Sequence, residues 1–286
     1  MKSNLIIRSL TGIVFVAVMV GCMIFGIYSY AVLFAVVTGM AVWEFCSLVN
    51  LHMGLRVNRL ITTTAGVYLF MAVLGFNANL VGAEIFIPYV LTLLYLLISE
   101  LYFDRPESIH NWAYAFMTQL YVALPFALLN TLSFIAEPSL GAAVYTWIFA
   151  LSVFVFLWAS DSGAYCFGVA FGRHRLFPRI SPKKSWEGSV GGTITAILTS
   201  QLIATFSDVF SADSILVNRL LWAGLALVVV VFGTWGDLVE SLFKRKLDIK
   251  DSGNILPGHG GILDRFDSSL LAIPAAVAYI YFVGQF

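Results

Sequence analysis

Val228 to Arg245 reads V-V-V-V-F-G-T-W-G-D-L-V-E-S-L-F-K-R. An apolar run meets a carboxylate at Asp237, and charges of both signs follow. If helix continues past Asp237, then Asp237, Ser241 and Lys244/Arg245 fall on one face, at i, i+4 and i+7/8. A carboxylate, a hydroxyl and a base then line one wall at the end of a membrane-length helix. Charge beside a bilayer is costly and usually marks function.

Long apolar runs recur along all 286 residues, and 60% of the chain is hydrophobic. A soluble domain sits near about 45–50% apolar. A spanning helix needs about 20 such residues. Nine stretches qualify: 8–27, 30–49, 60–77, 84–102, 111–134, 143–160, 188–207, 217–236 and 267–284. The expected fold is all-α, a polytopic integral membrane protein of about nine transmembrane helices. About five fall in residues 1–135, and four, with two cytoplasmic loops, form a catalytic region over 136–286. Pro125 interrupts the fifth and should kink it. Met1–Tyr30 has the basic start of a signal peptide, but its apolar run exceeds signal length and no A-x-A-like site follows. It reads as a retained first helix.

Formal net charge is zero, and no basic arm or acidic tail appears, which argues against a nucleic-acid partner. Cys22, Cys46 and Cys166 are far apart and lack metal-ligand spacing, so they read as small buried hydrophobes. Nine spans place alternate loops on opposite sides. Of the 16 Lys and Arg residues, only Arg219 then falls on one side, leaving fifteen on the other. The basic side is the cytoplasm, which puts the N-terminus inside and the C-terminus outside. Trp43, Trp112, Trp147, Trp158, Trp222 and Trp235 lie mostly toward helix ends, as an interfacial belt would.

Only two connections have room for chemistry, Asp161 to Glu187 and Asp237 to Asp264. Only 11% of the chain is Asp, Glu, Lys or Arg, yet Asp237–Asp267 holds six acids and five bases. Carboxylates suit a hard cation, and Lys and Arg suit phosphate oxygens. Asp264 and Asp267, at i and i+3, are expected in the first turn of the ninth helix, where the dipole favours acids. Between them and Asp237, Pro257-Gly258-His259-Gly260-Gly261 is a glycine-rich turn whose bare backbone can approach phosphate. Taken singly, Lys244, Arg245 and Lys246 could be orientation signals alone. The two aspartates flanking Arg265 at a helix mouth are not explained that way.

Ser241-x-x-Lys244-Arg245, Lys250-Asp251, Gly253, Pro257, His259-Gly260-Gly261 and Asp264-Arg265-x-Asp267 together resemble the signature of the CDP-diacylglycerol synthases, the phosphatidate cytidylyltransferases. The resemblance implies that Asp237 and Asp264 bind the catalytic metal, with Asp267 beside them. It also implies a dimetal site in which Mg2+ is joined by a second, monovalent cation such as K+. Ser241, Asp251, Gly260 and Gly261 fall among the expected substrate contacts.

The other loop reads W-A-S-D-S-G-A-Y-C-F-G from Trp158, and S-P-K-K-S-W-E-G from Ser181. Asp161 ends the sixth helix, with Tyr165 one turn on. Ser181, Lys183, Lys184 and Ser185 precede the seventh helix and can clamp a polyphosphate, aided by the helix N-terminus. Arg173, Arg175 and Arg179 read as orientation signals. D-x-G-A-Y-x-x-G followed by S-P-K-K-S/T-W-E-G also looks like this family, with Ser162 where Thr is more usual. Gly168/Gly172 and Gly188/Gly192 are small-xxx-small pairs, the second suited to close helix packing.

The resemblance implies a reaction: CTP and phosphatidic acid give CDP-diacylglycerol and pyrophosphate. Lys183, Lys184, Lys244, Arg245, Lys250 and Arg265 are the candidate phosphate contacts, and His259, among its glycines, could bond a phosphate or equally shape the turn. The site must lie at the cytoplasmic face of a bacterial-type inner membrane, open to a soluble nucleotide and to a lipid. Many enzymes of this sort are homodimers. Two other readings remain. A cation-coupled transporter would place ion sites near the midplane in broken helices, whereas these acids gather on one face. A CTP-dependent lipid-alcohol kinase would release CDP instead of pyrophosphate. Glu44 and Glu100 lie near helix ends, close enough to the interface to reach water. His52, His110 and His174 read as solvated. No GxSxG, P-loop or HExxH is present.

Overall fold

The structure, a computed structural model, describes residues 2–103, 105–137, 142–210, 212–253 and 260–284, with backbone alone at 2–10, 136, 137 and 142. In chain order the helices are α1 (Lys2–Phe25), α2 (Ile27–Met53), α3 (Arg59–Asn77), α4 (Ile87–Phe103), α5 (Ser108–Thr118), α6 (Leu124–Leu129), α7 (Ile148–Phe171), α8 (Trp186–Phe206), α9 (Ile215–Lys246), α10 (Leu263–Phe266) and α11 (Ser269–Phe282). Two short antiparallel ribbons join them, β1 (Phe134–Glu137) with β2 (Ala142–Tyr145) and β3 (Arg175–Phe177) with β4 (Ser181–Ser185).

The chain is thus a helical integral membrane protein. Among the described residues, seven helical stretches are long and apolar enough to cross a bilayer. The first of the nine expected spans lies within the 24-residue α1, and the last corresponds to the shorter, 14-residue α11. Fourteen residues rise about 21 Å, less than the about 30 Å of a hydrocarbon core. The expected loop Asp161–Glu187 is also more ordered than its sequence suggested. Helix α7 runs on to Phe171, and the bases that follow sit on the β3–β4 ribbon.

Two compact units divide the chain. The first comprises Met1–Trp147 and Lys246–Phe266, the second Ile148–Arg245 and Asp267–Phe286. In the first unit, α2 packs along α3, and Tyr30, Phe34, Phe70 and Phe126 are fully buried. Burying Leu among helices gains little over leaving it in lipid, so polar contacts and close packing hold such bundles. Gln119 donates to the Thr62 carbonyl (2.8 Å) and Asn130 to that of Phe70 (3.0 Å). Pro125 does disturb its helix: the turn before it, Gln119–Ala123, widens to a π-helix between α5 and α6. Proline has no N–H to give the carbonyl four residues back, and a widened turn accommodates the loss.

In the second unit, α7 and α8 pack closely along their small-residue faces. A Cβ at Gly192 would lie 2.6 Å from the Ser160 carbonyl oxygen, and one at Gly188 would lie 2.9 Å from that of Ala164. Trp222 is not interfacial as its sequence position suggested; it is fully buried against Phe149 and Phe210, because α9 turns that face inward. Ser185 caps α8 by accepting the Gly188 N–H at 3.2 Å.

The packing predicts a contrast. Gly192→Ala should destabilise the protein by about 1–3 kcal/mol, since the new methyl meets rigid backbone. Gly168→Ala, whose Cβ would stand at an ordinary 3.5 Å from the Ser185 hydroxyl, should be tolerated. Thermal unfolding of both variants in detergent checks this.

Candidate active site

Helix α9 carries the first group of candidate residues. It continues ten residues past its apolar run, so Asp237 and Ser241 share a face, and the Ser241 hydroxyl donates to Asp237 Oδ1 at 3.1 Å. The other carboxylate oxygen, Oδ2, pairs with the ammonium of Lys184 on β4. Strand alternation turns Lys184 inward and leaves Lys183 exposed. Lys244 is committed within the helix to the buried Glu240, at 2.6 Å. Arg245 is exposed.

Gly236 lets α9 approach the turn that precedes α11. A Cβ there would stand 2.7 Å from the Asp267 carbonyl oxygen. Asp267 lies in that turn, outside the spans, and Asp237 is close enough to be felt. Burial first, then the negative charge of Asp237, with Asp161 adding less, push the Asp267 carboxyl up to about 7, against the hydrogen bond from the Ser268 N–H and the smaller pull of Lys244. Beside these residues is a cavity of about 220 Å³, lined by Asp161, Tyr165, Lys183, Lys184, Thr234 and Ser268 among others. Tyr165 is on the same face as Asp161 because α7 continues through both.

The second group belongs to the first unit. Asp264 is in α10, and its Oδ2 accepts the N–H groups of Ser252 and Gly261, both at 2.9 Å. Gly260 has φ +84°, and a Cβ there would lie 2.4 Å from Asp264 Oδ2, so only glycine serves. Lys250, Asp251 and Arg265 are exposed. His259 and Pro257 lie outside the described residues. Asp264 and Asp267 do not share the first turn of one helix, as their spacing suggested. The separate helix α10 ends at Phe266, and the two aspartates fall in different units.

A hard cation suits the all-oxygen donor set of Asp161, Asp237, Ser241 and Asp267. Among the described residues, no three Asp, Glu, His or Cys side chains form a ready cage for an ion.

The cytidylyltransferase family model matches residues 6–283. A phosphatidate cytidylyltransferase of Haemophilus influenzae is 32% identical over 96% of this chain and 98% of its own length. One from Staphylococcus haemolyticus is 36% identical over 69% of this chain and 80% of its own. One from Staphylococcus saprophyticus reaches 46% over 44% of this chain and 46% of its own. The chain belongs to the cytidylyltransferase family.

For a cytidylyltransferase, the residue whose role differs most from its sequence expectation is Glu44. It does not reach water: it is 5% exposed on α2. Its carboxylate accepts the Ser252 hydroxyl and the N–H groups of Ile262 (2.9 Å) and Leu263 (3.2 Å). Gly261 passes so close that a Cβ would overlap Glu44 Oε1. Glu44 therefore holds the segment that carries Asp264, and the only hint in the sequence was an acid within an apolar helix. His174 is exposed as expected, yet its Nδ1 contacts Glu187 at 2.6 Å.

Glu44→Ala should strand two buried N–H groups and a hydroxyl, at about 1–3 kcal/mol for each. Hydrogen exchange should show lost protection at Ile262 and Leu263. Glu44→Gln, which retains one acceptor oxygen, should lose less.

Proposed function

We propose that this chain is a phosphatidate cytidylyltransferase, which joins CTP and phosphatidic acid to give CDP-diacylglycerol and pyrophosphate. One observation carries the reading: the match to the Haemophilus influenzae phosphatidate cytidylyltransferase runs nearly end to end. The pairing of Asp237 with Lys184, which lines a cavity together with Asp161 and Lys183, adds chemical support. A phosphate oxygen of the lipid attacks the α-phosphorus of CTP. The new P–O bond forms as the bond from that phosphorus to the bridging oxygen breaks, and pyrophosphate leaves with the electron pair.

A phosphomonoester with a second pKa of about 6 is largely dianionic near neutral pH. The nucleophile therefore comes with the substrate, and no serine or cysteine triad is needed. The protein must instead relieve repulsion between two polyanions and align them. Asp237 and Asp267 would hold Mg2+, which when bound supplies positive charge to the triphosphate. On the sequence pattern alone, Asp264 is a further ligand, and a monovalent cation such as K+ is the second ion. With a cation on Asp237, Lys184 would be released from that carboxylate and, with Lys183, would contact the triphosphate. Arg245, Lys250 and Arg265 are further phosphate contacts. The basic loops face the cytoplasm, where CTP is, in a bacterial-type inner membrane with the N-terminus inside and the C-terminus outside.

The test uses the full chain in detergent with phosphatidic acid, Mg2+ and CTP labelled in its cytidine moiety. Label should enter the lipid phase, and Asp237→Asn and Asp264→Asn should each lower the rate by about 10²–10³. Lys184→Gln should lower kcat/KM for CTP by about 10- to 100-fold, the value of a charge-assisted hydrogen bond. Unlabelled lipid from folded protein would overturn the reading. Transfer of γ-label to a polyprenol would then assign a lipid kinase.

A further inference from the structure

The first unit contains a second polar cavity, of about 340 Å³, lined by none of the residues assigned to catalysis. Its walls come from the turn after α2 and from the junction of α4 and α5. Arg56, Glu100 and Arg105 line it, with Asn50, Asn111 and Trp112 among the neighbours.

The walls are braced. Asn50 bonds the Val57 N–H (2.8 Å) and its carbonyl (2.9 Å). Asn111 accepts the Arg56 N–H at 2.9 Å and donates to Glu100 Oε2 at 3.1 Å. The Arg105 guanidinium lies 4.1 Å from the centre of the Phe103 ring and donates to the Arg56 carbonyl at 3.3 Å. Such a frame holds its shape without an occupant.

Two features call for a ligand. Glu100 is 8% exposed, and its Oε2 takes two hydrogen bonds, from Ser108 and Asn111. Its Oε1 is in an ion pair with the Arg105 guanidinium at 3.7 Å, too long for a hydrogen bond, which leaves this oxygen able to accept one from an occupant of the cavity. Arg56 is exposed at the cavity and has no carboxylate partner among the described residues, so its guanidinium can turn to an anion there. A matching ligand carries an anion and, a few atoms away, a hydroxyl or ammonium. The size is right for a small polar group. Beside the cavity, α4 exposes Leu91, Leu94, Ile98 and Leu101, which gives acyl chains a face to lie on.

We propose that this cavity binds a phospholipid of the adjoining leaflet by its headgroup, a phosphodiester with a terminal hydrogen-bond donor. The phosphate lies on Arg56 and Arg105, as basic pockets between membrane helices take headgroups. The terminal hydroxyl or ammonium lies on Glu100 Oε1.

Native mass spectrometry of the delipidated full chain tests this, with phosphatidylglycerol, phosphatidylethanolamine and phosphatidylcholine of identical acyl chains. The first or the second should be retained about tenfold more strongly than the third, whose trimethylated end cannot donate. Arg56→Gln, which removes a contact to the phosphate that all three share, should weaken retention of each about tenfold while cytidylyl transfer continues at the parent's rate. Glu100→Gln tells the sources apart: an ammonium contact should weaken about tenfold, a hydroxyl contact far less. Equal retention of all three lipids, or retention unchanged by Arg56→Gln, would overturn the proposal. Full displacement by inorganic phosphate would also overturn it, by assigning the cavity to a free anion.

Discussion

Inside a bilayer each backbone N–H and C=O without a partner costs several kcal/mol. The chain is therefore helical wherever it meets lipid, and irregular backbone is confined to the ends of helices. The candidate chemistry obeys this constraint. Helix α9 has 32 residues, about 48 Å at 1.5 Å per residue. Asp237 comes about 33 Å along it, close to where a hydrocarbon core of about 30 Å would end. The helix that spans the membrane thus delivers a carboxylate to the edge of the polar phase, on a rigid element.

Charge placed there must be answered before any ligand arrives. Each candidate carboxylate has its own answer. Asp237 has the Ser241 hydroxyl and the Lys184 ammonium. Asp264 has two backbone N–H groups, which also fix Gly260 and Gly261 around it. Glu44 has a hydroxyl and two N–H groups at the start of α10. The last arrangement is structural in its cause and functional in its consequence. A buried carboxylate left short of donors is costly, so the 260–264 segment cannot leave Glu44 without penalty, and Asp264 is held with it.

What could be read from the sequence was local. The i, i+4 relation of Asp237 and Ser241 follows from helical period, and the structure places the two in contact. The apolar runs gave the membrane class, since composition and length suffice for that. Contacts between distant residues were not readable. Lys184 and Asp237 meet because a ribbon and a helix end converge, and no spacing rule reports this. Glu44 and Ser252 are 208 residues apart. The spacing of Asp264 and Asp267 misled for a related reason. It describes two positions on one helix, whereas α10 stops at Phe266, anchored against Phe126 by an edge-on ring contact at 5.3 Å. Packing of that ring, not helical period, decides where the turn falls.

Asp237, Asp267 and Lys184 also show how neighbouring carboxylates are balanced within the protein. Two neighbouring carboxylates cannot both carry full charge in a place shielded from water. One is matched by Lys184, and burial with the charge of Asp237 pushes the carboxyl of the other, Asp267, up to about 7. Lysine and proton are both exchangeable. A divalent cation held by Asp237 and Asp267 would take the place of both, and would leave the Lys184 ammonium, tethered to β4, beside the cavity that it lines. Loading of the carboxylates would then turn a neutralised site into one with surplus positive charge, which is what an incoming triphosphate requires.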